Sequence, residues 1–160
     1  MIDEKKIDPR EENWTSEIGL DCHIYPCDFG SGRWHLCGYV RIPEGHPLYQ
    51  VDYSAPVPQS LIEAREKVLQ SPIGKRGIID VICMASGTEM RSGVLFDVHG
   101  GITFSGPFRG EDPKEFWYGF DCGHCDDNND RCNAAYVRNE CESLARQIAA
   151  FASKIKGEQT

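Results

Sequence analysis

Hydrophobic and polar residues change period along this chain, and each change marks an element. Trp34-His35-Leu36-Cys37-Gly38-Tyr39-Val40-Arg41-Ile42 is dense in aromatic and apolar types and stops at Pro43-Glu44-Gly45, which predicts a strand ended by a turn. The β-branched run at 77–84 suits a central strand, and Phe116-Trp117-Tyr118-Gly119-Phe120 a further aromatic one. Residues 94–99 and 101–104 read as one strand broken by glycines or as a tight pair. There Gly100-Gly101 favours a bulge that turns His99 toward a cleft. Two stretches have helical period. Ser60-x-x-Glu63 is a capping box, with Leu61, Ala64, Val68 and Leu69 on one side, which predicts a helix over 60–70. Val137, Cys141, Leu144, Ile148, Phe151 and Ile155, with charges between them, predict an amphipathic helix over 134–155 that covers a sheet.

The fold class is therefore α+β: a single domain over 14–160, with a mostly antiparallel sheet under the C-terminal helix and one inserted helix. Residues 1–13 are charged and aperiodic, so they read as a frayed arm. A length of 160 residues suits one core of ordinary size. No stretch approaches the roughly 18 apolar residues of a membrane span, and the N-terminus lacks the apolar run of a secretory signal. A cytoplasmic protein is expected. A net charge of −8 with scattered basic residues disfavours general nucleic-acid binding.

Candidate chemistry gathers in two stretches, Phe96-Asp97-Val98-His99-Gly100-Gly101 and Gly119-Phe120-Asp121-Cys122-Gly123-His124-Cys125-Asp126. Each sets a carboxylate two or three residues before an imidazole on strand-like chain, where an unpaired charge is costly. Side by side, they would place His99, His124, Asp97, Asp121 and Asp126 around a divalent metal, zinc or manganese, with His99, His124 and Asp121 carrying the catalysis. Eight cysteines offer an alternative, a structural zinc built from Cys122-x2-Cys125 with Cys132 or with Cys22 and Cys27. Cys37, Cys83 and Cys141 fall in apolar patterns and read as buried thiols. His46, held beside Pro47 on a loop, and Tyr49, Trp117 and Tyr118 are candidate ligand-binding residues.

Several machines are excluded by their missing signatures: there is no Gly-x4-Gly-Lys-Ser/Thr, no Gly-x-Gly-x2-Gly after a strand, no Gly-x-Ser-x-Gly and no His-Glu-x2-His. Asp126-x-Asn128-x-Asp130 imitates half a calcium loop. Arg131 stands where that loop needs glycine and Val137 where it needs glutamate, so the segment reads as an acidic helix start.

Five motifs in order carry a resemblance: Trp34 to Val40, Gly45-His46-Pro47-Leu48-Tyr49, Asp97-Val98-His99-Gly100-Gly101-Ile102-Thr103-Phe104-Ser105-Gly106, Gly119-Phe120-Asp121-Cys122-Gly123-His124, and Tyr136-Val137-Arg138-x2-Glu140-Cys141. Together they span most of residues 33–148, and the chain resembles a set of small, uncharacterised proteins encoded by tailed phages and prophages. The resemblance implies a viral accessory protein in a host bacterial cytoplasm, with residues 54–93 inserted relative to shorter relatives. It also implies that His46, His99, Asp121 and His124 lie in shared motifs, whereas Cys125 and Cys132 are particular to this chain.

Two functions are expected from these residues. One is a binder of a host protein or a small signalling molecule, countering host functions with its aromatics and a polar core. The other is a metal-dependent hydrolase of a small phosphate or nucleotide-like substrate, using the His/Asp site.

Overall fold

A computed structural model describes residues 9–56, 92–110, 112–124 and 127–157. The helix expected over 60–70, the strand expected over 77–84, Cys83, Cys125 and Asp126 lie outside the described residues. The strands are β1 (Glu12–Thr15), β2 (Asp21–Asp28), β3 (Trp34–Ile42), β4 (Phe104–Gly106) and β5 (Phe116–Asp121), and the helix is α1 (Ala134–Gly157). All strand pairs are antiparallel, in the order β1-β2-β3-β5-β4.

Period-two alternation gives the sheet two unlike faces. On the inner face Ile24, Leu36, Val40, Ile42, Tyr118 and Phe120 are buried against Val137, Cys141, Leu144, Ile148 and Phe151 of α1. Gly38 permits that approach, since a Cβ there would lie 2.4 Å from the Phe120 ring and 2.8 Å from Cys141 Sγ. The helix starts at Asn133, whose Oδ1 accepts the Tyr136 amide at 3.0 Å, a side-chain N-cap. The expected acidic start falls one turn earlier, where Asn128 Oδ1 accepts the Arg131 amide at 2.9 Å. On the outer face Cys37, Tyr39 and Trp117 form a second cluster with Tyr25, Cys27, Phe104 and Phe108. Phe108 covers it, edge-on to Tyr39 at 5.0 Å.

Three expectations change. Residues 94–103 contain no strand: a 3-10 turn at Ser92–Leu95 runs into an irregular segment, and only Phe104–Gly106 pairs. The physical reason is that Gly100 and Gly101 adopt φ of +66° and +82°, while side chains of α1 take the backbone bonds a neighbouring strand would supply. Glu140 Oε2 accepts the His99 amide at 2.8 Å, and Gln147 Oε1 accepts that of Asp97 at 2.8 Å. The arm is also shorter than 1–13, because Glu12 and Asn13 belong to β1. Glu11 lies 3.1 Å from His23, and Arg138 of α1 donates to Glu12 at 2.6 Å, so side-chain pairs tie this stretch down. Finally, β2 went unforeseen.

The chain leaves the described fold after Pro56 and re-enters at Ser92, and its ends meet. The Ser92 amide donates to the Ala55 carbonyl at 2.9 Å, and that of Gly93 to the Tyr53 carbonyl at 2.8 Å. Those bonds hold the two described ends side by side.

Candidate metal centre

Beyond β5 the chain turns at Asp121-Cys122-Gly123-His124 and passes beside the 97–101 segment and the start of α1. Asp121 closes this turn: its Oδ1 accepts the Gly123 amide at 3.0 Å and its Oδ2 the Thr103 hydroxyl at 2.9 Å. His124 then folds over Gly100. A Cβ on Gly100 would lie 2.2 Å from that ring, so the bare, left-handed glycine is what lets the imidazole in.

His99 and His124 are neighbours, with ring centroids 5.4 Å apart. The carboxylate between them is Asp127, which no motif had singled out. Its Oδ2 lies 3.0 Å from His99 Nε2 and 2.8 Å from His124 Nδ1, and accepts the His124 amide at 3.0 Å. Burial raises the Asp127 carboxyl, but hydrogen bonds from His99 and from the amide and ring of His124 outweigh it and hold it at about 2. Asp127 therefore stays ionised. His99 Nδ1 lies 2.8 Å from the Tyr136 hydroxyl, so with Nε2–H donating to Asp127, Nδ1 accepts from Tyr136 and the two bonds fix the ring.

Two sulfurs stand behind this triad. Cys122 and Cys132, both buried, have their Sγ atoms within 4.8 Å of each other and of a His99 ring nitrogen, and Cys132 Sγ is 3.8 Å from Asp127 Oδ1. Burial above all pushes both thiols up from their ordinary range. A bound cation would supply the positive charge that draws their protons off. His99 thus belongs to two sets of possible ligands, His99/Cys122/Cys132 inside and His99/His124/Asp127 outside. The outer set opens on a cavity of about 410 Å³, lined among others by Arg33, Trp34, His35, Cys122, His124 and Asp127.

The remaining sequence candidates lie elsewhere. Asp97 is held to α1 through its backbone amide and carbonyl, both bonded to Gln147 at 2.8 Å, and Asp121 serves the turn; neither converges on His99. His46 is a buried structural imidazole: Nδ1 accepts the Leu48 amide and Nε2–H donates to the Ile148 carbonyl, each at 3.0 Å. Tyr118 is fully buried, donating to the Val51 carbonyl at 2.8 Å, and burial raises its phenol to about 12. Trp117 packs in the outer cluster, and the Tyr49 hydroxyl donates to the Lys114 carbonyl at 2.6 Å. None of the four faces the cavity. Among the zinc-knuckle residues, Cys122 meets Cys132, while Cys27 lies with Cys37 on the outer face and Cys22 in the inner core.

Comparison with known proteins brings no match: no family model, no curated protein and no solved structure is similar to this chain. No helix among the described residues is long and apolar enough to cross a membrane.

Proposed function

We propose that the protein is a metal-dependent hydrolase. His99, Cys122 and Cys132 would hold a zinc-class divalent ion, which would activate a water molecule for hydrolysis near Asp127 and His124. The supporting observation is the convergence of one imidazole and two buried sulfurs within 4.8 Å, of which Cys122 lines a cavity together with the His124–Asp127 pair. Two sulfurs and one nitrogen favour zinc over manganese, and three protein ligands leave room for water whose pKa falls toward neutrality. Asp127 orients His124 through Nδ1, so the ring can take a proton from that water and return it to a leaving group. Arg33 and Phe29 are exposed at the cavity, and Trp34 is half-buried there; a cation beside aromatic faces suits a small phosphate ester bearing a base.

The geometry favours this reading over the binder, because Tyr49, Trp117 and Tyr118, on which the binder relied, are engaged in packing or internal hydrogen bonds. Its setting would be that of a viral accessory protein, as the resemblance implies, and the resemblance itself names no reaction. Hydrolysis of p-nitrophenyl phosphate and a panel of nucleotides, by protein loaded with one equivalent of zinc, tests the reading. Turnover should vanish on chelation and return with zinc. Protein that holds zinc yet cleaves no ester, or that cleaves equally well after chelation, would refute it.

A further inference from the structure

The outer face carries a second pair of sulfurs that this chemistry does not use. Cys27 on β2 and Cys37 on β3 are not cross-strand partners; Cys27 stands opposite His35 and Cys37 opposite Tyr25. The two thiols nevertheless meet diagonally, with Sγ atoms 3.0 Å apart, and a His35 ring nitrogen lies within 4.8 Å of both. Two sulfurs on a tetrahedral zinc, with bonds of about 2.3 Å, are kept about 3.8 Å apart. The observed separation is shorter, and it suits sulfurs exchanging a hydrogen bond on the way to a covalent bond.

We infer that Cys27 and Cys37 form a thiol–disulfide exchange site whose oxidant is a low-molecular-weight disulfide. The two thiols differ in access: Cys27 is half-buried near the sheet edge, while Cys37 is only 4% exposed. Cys27 is therefore the attacking group and Cys37 the resolving one. Their environments point the same way. The hydrogen bond from Cys37 lowers the Cys27 thiol, and that same bond, followed by burial, raises Cys37. The Cys27 thiolate attacks one sulfur of the disulfide, and the first small thiolate leaves with the electron pair of the broken S–S bond. Cys37 then loses its proton and attacks Cys27 Sγ, releasing the second small thiolate. Overall, two protein thiols and one disulfide become one protein disulfide and two small thiols.

Glutathione disulfide serves as the probe, with the full chain as protein and peptide mapping by mass spectrometry as readout. Wild-type protein should lose two hydrogens and gain a Cys27–Cys37 crosslink that a thiol reductant reverses. Cys37→Ser should accumulate a glutathione adduct on Cys27, whereas Cys27→Ser should leave Cys37 unmodified. A crosslink that forms first between other cysteines would overturn the assignment, as would a Cys37→Ser protein without adduct on Cys27. Wild-type protein that resists the probe until a chelator is added would overturn it too, by showing the sulfurs to be metal ligands. The wild-type map needs no variant to fold.

Discussion

Among the described residues two groups combine one histidine and two cysteines, and they differ in how their sulfurs and imidazole are surrounded. In His99/Cys122/Cys132 the sulfurs are both buried, Asp127 bridges from sulfur to imidazole, Tyr136 steadies the ring, and a cavity opens on one side. In Cys27/His35/Cys37 the sulfurs touch each other, one of them is half-exposed, and the group lies on a sheet face covered by Phe104 and Phe108. On the proposed readings, the same residue types serve metal binding in one place and sulfur exchange in the other. The difference lies in the Asp127 carboxylate and Tyr136 hydroxyl around the first imidazole, against sulfurs in direct contact in the second group.

The largest separation of the two groups should appear in activity. His124→Ala, beside the first group, should lower hydrolysis about 10²- to 10⁴-fold with zinc retained, the usual contribution of a positioned acid–base group, while Cys37→Ser in the second should leave zinc-dependent turnover within a few-fold of wild type. Initial rates at equal zinc content compare them directly. Equal losses in the two variants would erase the distinction.

Next in size is the inner face itself. Leu144 is fully buried under the sheet, so Leu144→Ala should cost about 2–5 kcal/mol, read by urea unfolding. Cys27→Ser on the outer face, at a half-buried position, should cost about 1 kcal/mol or less. A Leu144 variant as stable as wild type would mean that α1 does not hold the inner face.

Two glycines sharpen the contrast further. Gly100→Ala meets the His124 ring at 2.2 Å in a left-handed backbone conformation, and should cost about 1–3 kcal/mol while displacing His124 and depressing turnover. Gly123→Ala meets the His35 ring at 2.7 Å without a left-handed backbone. It should cost less, because the half-exposed ring can swing aside. Thermal melts and rates of the pair should rank in that order.

The smallest effect is a pH dependence of the metal-free protein. Asp127 is depressed from 3.8 to about 2 in the fold. The stability it contributes is fully present above pH 4 and lost as pH falls toward 2, as the folded state is forced to take up its proton. Asp127→Asn should flatten that part of the acid-unfolding curve; a curve unchanged by the substitution would show that the carboxylate is not specially held.

Legibility in the sequence followed the strength of local patterns. The run from Trp34 to Ile42 and the aromatic stretch from Phe116 announced β3 and β5, and the stripe from Val137 to Phe151 announced α1. β2 was hidden by Pro26, which argues against a central strand. It is tolerated because β1 begins at Glu12, opposite Ile24, so among the described residues that stretch of β2 pairs on one side only. The 94–99 run has strand composition, yet Glu140 and Gln147 reach it from 41 and 50 residues away, a competition no local window contains. At the site, His99 and His124 stand out because each follows an acid by two or three residues and adjoins glycine. Asp127 was passed over in favour of Asp126 and the calcium-like spacing around it. Its signal was the interval from His124: the Asp127 amide donates to the His124 carbonyl at 2.9 Å, and that turn brings the carboxylate back onto the ring. Cys132 meets Cys122 across ten positions of chain, a contact that no spacing rule specifies.

The central claim, that His99/Cys122/Cys132 holds a metal ion and Cys27/His35/Cys37 does not, is tested most directly by elemental analysis of three proteins purified without added metal: wild type, Cys132→Ser and Cys37→Ser. The account predicts one equivalent of zinc in wild type and in Cys37→Ser, and none in Cys132→Ser. Zinc kept in Cys132→Ser but lost in Cys37→Ser would contradict it.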